Sequence, residues 1–357
     1  MKKTSNYSRR KFIATTGITA AALTIGSKFS AFGAESKRIN FMNWDTYIGP
    51  NTFNDFKKAL GVTVKLDLFA NNDELFGKLQ NGNPGYDVIV PSHDMVQKMT
   101  SLNMLVPLNY DKIPNSKNIF KKFQDAEFDP GRKHSITYMW GTIGIGYNKR
   151  KVKGTPDSWK FLYDSPLYAN RISLIGEARD LIALGLKYLG YSANSTNLKH
   201  LAEVEKLLIA QKKHIKSFHS DNGQDLLLAN EIDLVQEYSG DISQIMAEDK
   251  KFDYLVPKEG STVWQDNLAI PKGAPNLENA HKFINFLLDA KIGRDIADEI
   301  RYATPNEAAY KLMDDKYRND PTIYPPDNIL KRCETLKFHG LKMSQKYDEI
   351  LTRIKAA

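Results

Sequence analysis

The run Tyr86-Asp87-Val88-Ile89-Val90-Pro91-Ser92 is apolar and β-branched through its centre instead of alternating apolar with polar residues. A strand of that kind is buried on both faces, as in a parallel sheet covered by helices on either side. The flanking chain supplies the cover. Residues 38–44 read as a strand and 50–60 as a helix, with Phe53, Phe56 and Leu60 on one face. Residues 62–69 alternate as a strand; 72–80 and 94–102 have helical spacing. This strand–helix alternation predicts an α/β fold.

The same rhythm returns later. Strands are expected at 171–175, 215–218, 232–237, 254–256 and 262–271, and helices at 178–189, 198–212 and 276–300. The last fifty or so residues look helix-rich. About 320 residues follow the leader described next, a length that usually divides into two domains.

The N-terminus reads as an export signal. Arg9 and Arg10 precede a mild apolar run from Ala14 to Ile25, and small residues end at Gly33 and Ala34. Paired arginines point to the twin-arginine route. The run falls short of the ~20 residues that span a bilayer. Cleavage is expected after Gly33 or Ala34, which places the remainder in the periplasm.

That leader also explains the basic charge. The chain carries +8, but Lys2, Lys3, Arg9, Arg10, Lys11 and Lys28 lie in residues 1–34 with no acid. Subtracting those six leaves +2. Nothing then suggests nucleic-acid binding, which needs a clustered basic face. Cys333 is the single cysteine and has no partner for an internal disulfide. Seven scattered histidines show no metal-ligand spacing, and no metal or cofactor is expected.

Aromatics and acids recur together at the ends of the expected strands: Trp44, Asp45 and Tyr47; Ser92 and Asp94; Glu177 and Asp180; Glu237, Tyr238 and Asp241; Trp264 and Asp266; and Tyr302. Strand ends are where open α/β sheets bind ligands. Carboxylates with π-faces suit an organic cation. A linear polyamine needs acids for its ammoniums, apolar walls for its methylenes and a ring face for an internal ammonium. Charge-assisted hydrogen bonds contribute roughly 1.5–3 kcal/mol each, against about 8 kcal/mol for micromolar binding. Each piece also has a plainer reading. Asp94 suits a helix cap, Glu177 and Asp180 suit a first turn, and Trp44 and Tyr302 suit half-buried packing.

In this order and spacing, the chain resembles the periplasmic spermidine/putrescine-binding proteins of ABC transporters over nearly all the length after the leader. The residues carrying the resemblance are Asn43-Trp44-Asp45-Thr46-Tyr47, Tyr86 to Ser92, Tyr138 to Asn148, Phe218-His219-Ser220, Pro257-Lys258-Glu259-Gly260, Trp264 to Pro271, Ile284 to Leu288 and Tyr302-Ala303-Thr304-Pro305-Asn306.

The resemblance implies a type II periplasmic binding fold: two α/β lobes, a cleft between them, and two hinge crossovers, near 143–146 and 263–266. Lobe 1 would comprise 35–143 plus 266–310, and lobe 2 would comprise 144–265 plus 311–357. It implies a monomer that captures its ligand by closing and delivers it to an inner-membrane permease. Trp44, Tyr47 and Ser92 would wall the first lobe, and Glu177 and Asp180 would be the second lobe's acids. Trp264 and Asp266 would be the aromatic and central carboxylate, with Tyr302 near the hinge.

The chain departs from the family pattern at Asp45 and Asp94, where hydroxylated residues are usual, at Tyr238, where Trp is usual, and at Leu336, where Gln is usual. The two extra acids point to a more highly charged amine. An exported hydrolase with paired carboxylates competes, although no nucleophile elbow or metal motif appears. The same fold could also hold a sugar, an amino acid, ferric ion or a quaternary amine.

Overall fold

In the computed structural model, residues 36–357 are described; the leader of residues 1–34 lies outside them. Among the described residues nine strands are paired: β1 (Arg38–Asn43), β2 (Thr63–Leu68), β3 (Val88–Ile89), β4 (Ser135–Asn148), β5 (Ile172–Ile175), β6 (Ile215–His219), β7 (Leu234–Tyr238), β8 (Phe252–Leu255) and β9 (Val263–Ala269). Their order is β2-β1-β3-β9-β4-β7-β5-β6, with β8 beside β4.

The parallel pairing expected from the sequence holds for four strand pairs and fails wherever β4 or β9 takes part. The pairs β1–β2, β1–β3, β5–β6 and β5–β7 are parallel. β9 runs antiparallel to both β3 and β4, and β4 antiparallel to β7 and β8. The return strand β9 is inserted between β3 and β4, so both its neighbours meet it head to tail.

β4 joins the halves. Its first part, Ser135 to Thr142, pairs with β9; its second, Ile143 to Asn148, pairs with β7 and β8. Every residue of β4 is buried. Three glycines make that passage possible. A Cβ on Gly144 would stand 2.4 Å from the Leu255 carbonyl oxygen, one on Gly146 2.5 Å from the Ile242 side chain, and one on Gly141 2.6 Å from the Trp264 ring. The pattern of 138–148 reads weakly as a strand because glycine adds nothing to the apolar signal. The longest strand was therefore the one not anticipated from periodicity.

Elsewhere the expected helices form, with adjusted ends. Thr52–Leu60 buries Phe56, yet Leu60 stays 45% exposed because the helix ends at Gly61 in the left-handed region. The stretch 276–300 is two helices, Leu277–Leu287 and Ala290–Ile300. Asp289 divides them, its carboxylate accepting from the Lys291 and Ile292 amides as an N-cap. The C-terminal helix Leu341–Ala356 buries Tyr347, Ile350 and Ile354. Its Arg353 pairs with Glu205 of the helix Leu198–Gln211. Cys333 is half-buried and burial raises its thiol above the ordinary range, which suits an inert packed side chain.

Gly144→Ala should lower unfolding free energy by at least about 1–3 kcal/mol, because the obstructing atom is backbone. Gly77→Ala is the control. Its Cβ meets nothing nearer than 4.0 Å in the helix Asn72–Leu79, so it should be neutral or up to about 1 kcal/mol stabilising. Urea titration of both variants checks the contrast.

Candidate functional site

Five strands deliver side chains to one place, all from their carboxyl ends. Trp44 follows β1, Ser92 follows β3, Glu177 follows β5, Asp221 follows β6, and Tyr238 closes β7. β9 adds Trp264 and Asp266 from within the strand. These residues surround one cavity lined by acids and aromatic rings. Of the thirteen strand-end residues noted in the sequence, twelve line it: Trp44, Asp45, Tyr47, Ser92, Asp94, Glu177, Asp180, Tyr238, Asp241, Trp264, Asp266 and Tyr302; Glu237 instead lies buried against His219.

The aromatics form a connected wall. Tyr302 meets Tyr47 edge-on at 5.3 Å between ring centres and Trp264 at 5.1 Å; Trp264 meets Tyr238 at 5.9 Å. Glycines back this wall. A Cβ on Gly240 would lie 2.4 Å from the Tyr302 ring, and Gly141 lies beneath Trp264. Trp44 is pinned from outside the wall, its indole N–H donating to the Val90 carbonyl at 2.9 Å and its ring packing on Phe69.

The acids are held just as firmly. Asp266 accepts from the Tyr47 hydroxyl at 2.9 Å, and its backbone bridges Ser92. The Tyr238 hydroxyl donates to Asp180 at 3.3 Å, and Tyr302 bonds Asp241. The Ser92 hydroxyl donates to Asp94 at 2.6 Å. Glu177 stands at the N-cap of the helix Ala178–Tyr188 but makes no side-chain cap bond there. It accepts instead from the Asn72 amide, at the start of the helix Asn72–Leu79. Ser92 likewise makes no cap bond to its helix. Glu177, expected in the first turn of that helix, stands just before it and bonds to another helix instead. Asp45 sits at the exposed rim and accepts from the Thr46 amide.

The electrostatics follow from crowding. Seven carboxylates line the cavity against a single guanidinium, that of Arg179. Two of that arginine's nitrogens are engaged by the Ala193 carbonyl and Asn194. Burial, then Asp94, pushes Asp180 up to about 7. Burial raises Asp266 to about 8, against the pull of the Tyr47 hydroxyl, with Asp94 and Asp180 adding to the rise. Glu177, Asp221 and Asp241 are raised by burial first and by neighbouring acids second. Uncompensated acids in a dry cleft favour their protonated forms until a cation arrives.

Sequence reasoning missed Asn72, His93 and Asp221 as wall residues. It noted Asp241 and Leu336 without assigning them to the site. Asp221 was detectable, since it directly follows an expected strand as the other acids do. Asn72 and His93 are neither carboxylates nor large aromatic rings of the kind sought at strand ends, although His93 lies between Ser92 and Asp94. Among the described residues no cluster of His, Cys, Asp and Glu is arranged to hold a metal, and no helix is long and apolar enough to cross a membrane.

Comparison with known proteins extends the picture. Residues 51–325 match the family model for bacterial extracellular solute-binding proteins. A putrescine-binding periplasmic protein of Pseudomonas aeruginosa is 35% identical over 95% of this chain and 98% of its own length. The spermidine/putrescine-binding periplasmic protein of Escherichia coli is 32% identical over 95% and 97%. A solved spermidine/putrescine ABC transporter substrate-binding protein from Streptococcus pneumoniae superposes with a TM-score of 0.77 at 34% identity, covering 90% of this chain and 99% of that one.

The raised acids make stability depend on pH. A carboxyl that titrates higher when folded than when unfolded stabilises the fold below its unfolded value, and that contribution is lost as pH rises through the folded value. For Asp180 and Asp266 the loss runs from about pH 4 to pH 7–8. The ligand-free protein should therefore melt at a lower temperature at pH 8.5 than at pH 5.5. Asp266→Asn should flatten the slope and raise the melting temperature at pH 8.5. Thermal scans across that window check it.

Proposed function

The chain belongs to the family of bacterial extracellular solute-binding proteins, and from that membership and the make-up of its cavity we propose that it captures a polyamine in the periplasm for an ABC transporter. The observation that carries this reading is the excess of acids. Seven carboxylates, one guanidinium and five aromatic rings leave net negative charge beside π-faces. A sugar would not repay that desolvation. An α-amino acid would need a free arginine, and Arg179 is engaged elsewhere. Ferric ion would be poorly served by indole walls. The relatives are named as periplasmic binding proteins and the solved structure as an ABC transporter substrate-binding protein, and the chain is a receptor rather than a hydrolase.

In this reading Asp266 holds the central ammonium. Glu177, Asp180 and Asp94 serve one end, and Asp221 and Asp241 the other. Trp44, Tyr47, Tyr238, Trp264 and Tyr302 cover the methylenes, and Asp45 adds charge at the rim. The two lobes comprise 35–143 plus 266–310 and 144–265 plus 311–357, and the crossings in β4 and at the start of β9 are the hinge. In support, the sheet changes partners between Thr142 and Ile143 of β4. Closure excludes water and strengthens each ion contact. The twin-arginine leader exports the chain, which works as a monomer that docks on a membrane permease.

Calorimetric titration of the chain, refolded to strip carried ligand, should show one-to-one binding of polyamines. Spermidine and spermine should bind more tightly than putrescine, because two extra acids await a third charge. Asp266→Ala or Trp264→Ala should weaken binding about tenfold or more. Binding of glycine betaine in place of every polyamine would transfer the reading to another organic cation, and putrescine binding as tightly as spermidine would remove the charge preference.

A further inference from the structure

We propose that residues 334–338 form a strap over one side of the cavity, and that the strap's contacts with the first lobe, at Gln97, Glu127 and His93, slow the escape of a bound ligand. The proposal rests on the polyamine reading and the two lobes described above, and it gives part of the fastening of the closed state to residues outside the cavity.

The strap precedes the helix Leu341–Ala356 and is built into the second lobe. The Glu334 amide donates to the Ser261 carbonyl, and the Glu334 carbonyl accepts from the Val263 amide, both at 3.0 Å. The Glu334 carboxylate accepts from Lys187, the Ser192 hydroxyl and the Ala193 amide. Asn194 then clasps the backbone on both sides of Leu336. Its Nδ2 donates to the Thr335 carbonyl and its Oδ1 accepts from the Lys337 amide, each at 2.9 Å. The same oxygen accepts from Arg179 of the cavity wall.

Between those two bonds Leu336 lines the cavity at 3% exposure. An apolar cover keeps water from the acids without offering them a counter-charge, so it strengthens the ion contacts of a ligand without competing with it.

Toward the first lobe the strap is held more lightly. The Phe338 amide donates to Gln97 Oε1 at 2.8 Å, and Lys337 Nζ donates to Glu127 at 2.7 Å. His93 bonds the Leu336 backbone. Gln97 and His93 share the helix His93–Ser101, and Glu127 lies before β4. Gln97 and Glu127 stand apart from the amine cavity, across a separate groove from residues 335–337. The denser bonding lies on the second lobe. When the lobes part, the strap therefore leaves with the second lobe, and the contacts at Gln97, Glu127 and His93 break.

The test is stopped-flow release of spermidine from the full chain, read by tryptophan fluorescence, since Trp44 and Trp264 line the cavity. Gln97→Met keeps the length of the side chain and removes the acceptor. Glu127→Gln keeps the shape and removes the charge. Losing the acceptor should speed release about 3- to 10-fold, the net worth of one hydrogen bond. Losing the exposed ion pair should speed it less, about 1.5- to 5-fold. Association rates should stay within about twofold of the wild-type value, and the ligand-free melting temperatures should not move, because these contacts form on closure. Release at the wild-type rate in both variants overturns the inference alone. So does a ligand-free melting temperature that falls along with faster release, which would make the contacts part of the fold instead of part of closure. Failure of spermidine to bind the wild-type chain overturns the inference together with the polyamine reading.

Discussion

Like-charge repulsion inside a buried cavity is the constraint around which the molecule is arranged. Five carboxylates, Glu177, Asp180, Asp221, Asp241 and Asp266, converge where burial disfavours their ionisation, and neighbouring acids raise the cost further. Such a cluster would collapse or splay unless its members were fixed by other means. The fixing is done by neutral partners. Tyr47 holds Asp266, Tyr238 holds Asp180, Tyr302 holds Asp241, and Ser92 holds Asp94. Neutral donors position an acid without cancelling its charge. A lysine in any of those places would have occupied the site reserved for the ligand.

The aromatic wall and the acids depend in turn on backbone placed unusually close to side chains. Gly141 under Trp264 and Gly240 under Tyr302 set the depth of the wall. Behind the first half, Arg132 is buried and donates to the Phe123 carbonyl, Asn267, Thr137 and Gln265. It thereby locks β4 to β9 on either side of Asp266. Removing water from that guanidinium lowers it to about 10, still well charged at neutral pH.

Much of this was legible in the residues. β3 was recognisable because an uninterrupted apolar run suits a doubly covered strand, and the acids and aromatics stood out because they recur just past expected strands. What was not legible has physical causes. β4 was hidden because its three glycines are chosen for what presses against them, and periodicity cannot report a neighbour. The break at Asp289 was hidden because both flanking helices keep the same apolar spacing. Asn72 and His93 carry neither the carboxylate nor the large ring that marked the other wall residues. Glu177, expected in the first turn of its helix, stands just before that turn and reaches across to the Asn72 amide.

One consequence concerns the order in which the chain can fold. β4 is central to both halves, yet its first half waits for β9, so that Ser135 must find Ala269 and Thr142 must find Val263. Until residues 263–269 exist and return, β3 and the first half of β4 present bare edges with unmet amides and carbonyls. Edges of that kind recruit other chains. Contacts so far apart in sequence also slow the search for the native state. A chain truncated before β9 would lose the strand that seals its centre, leaving an aggregation-prone intermediate rather than a smaller folded domain.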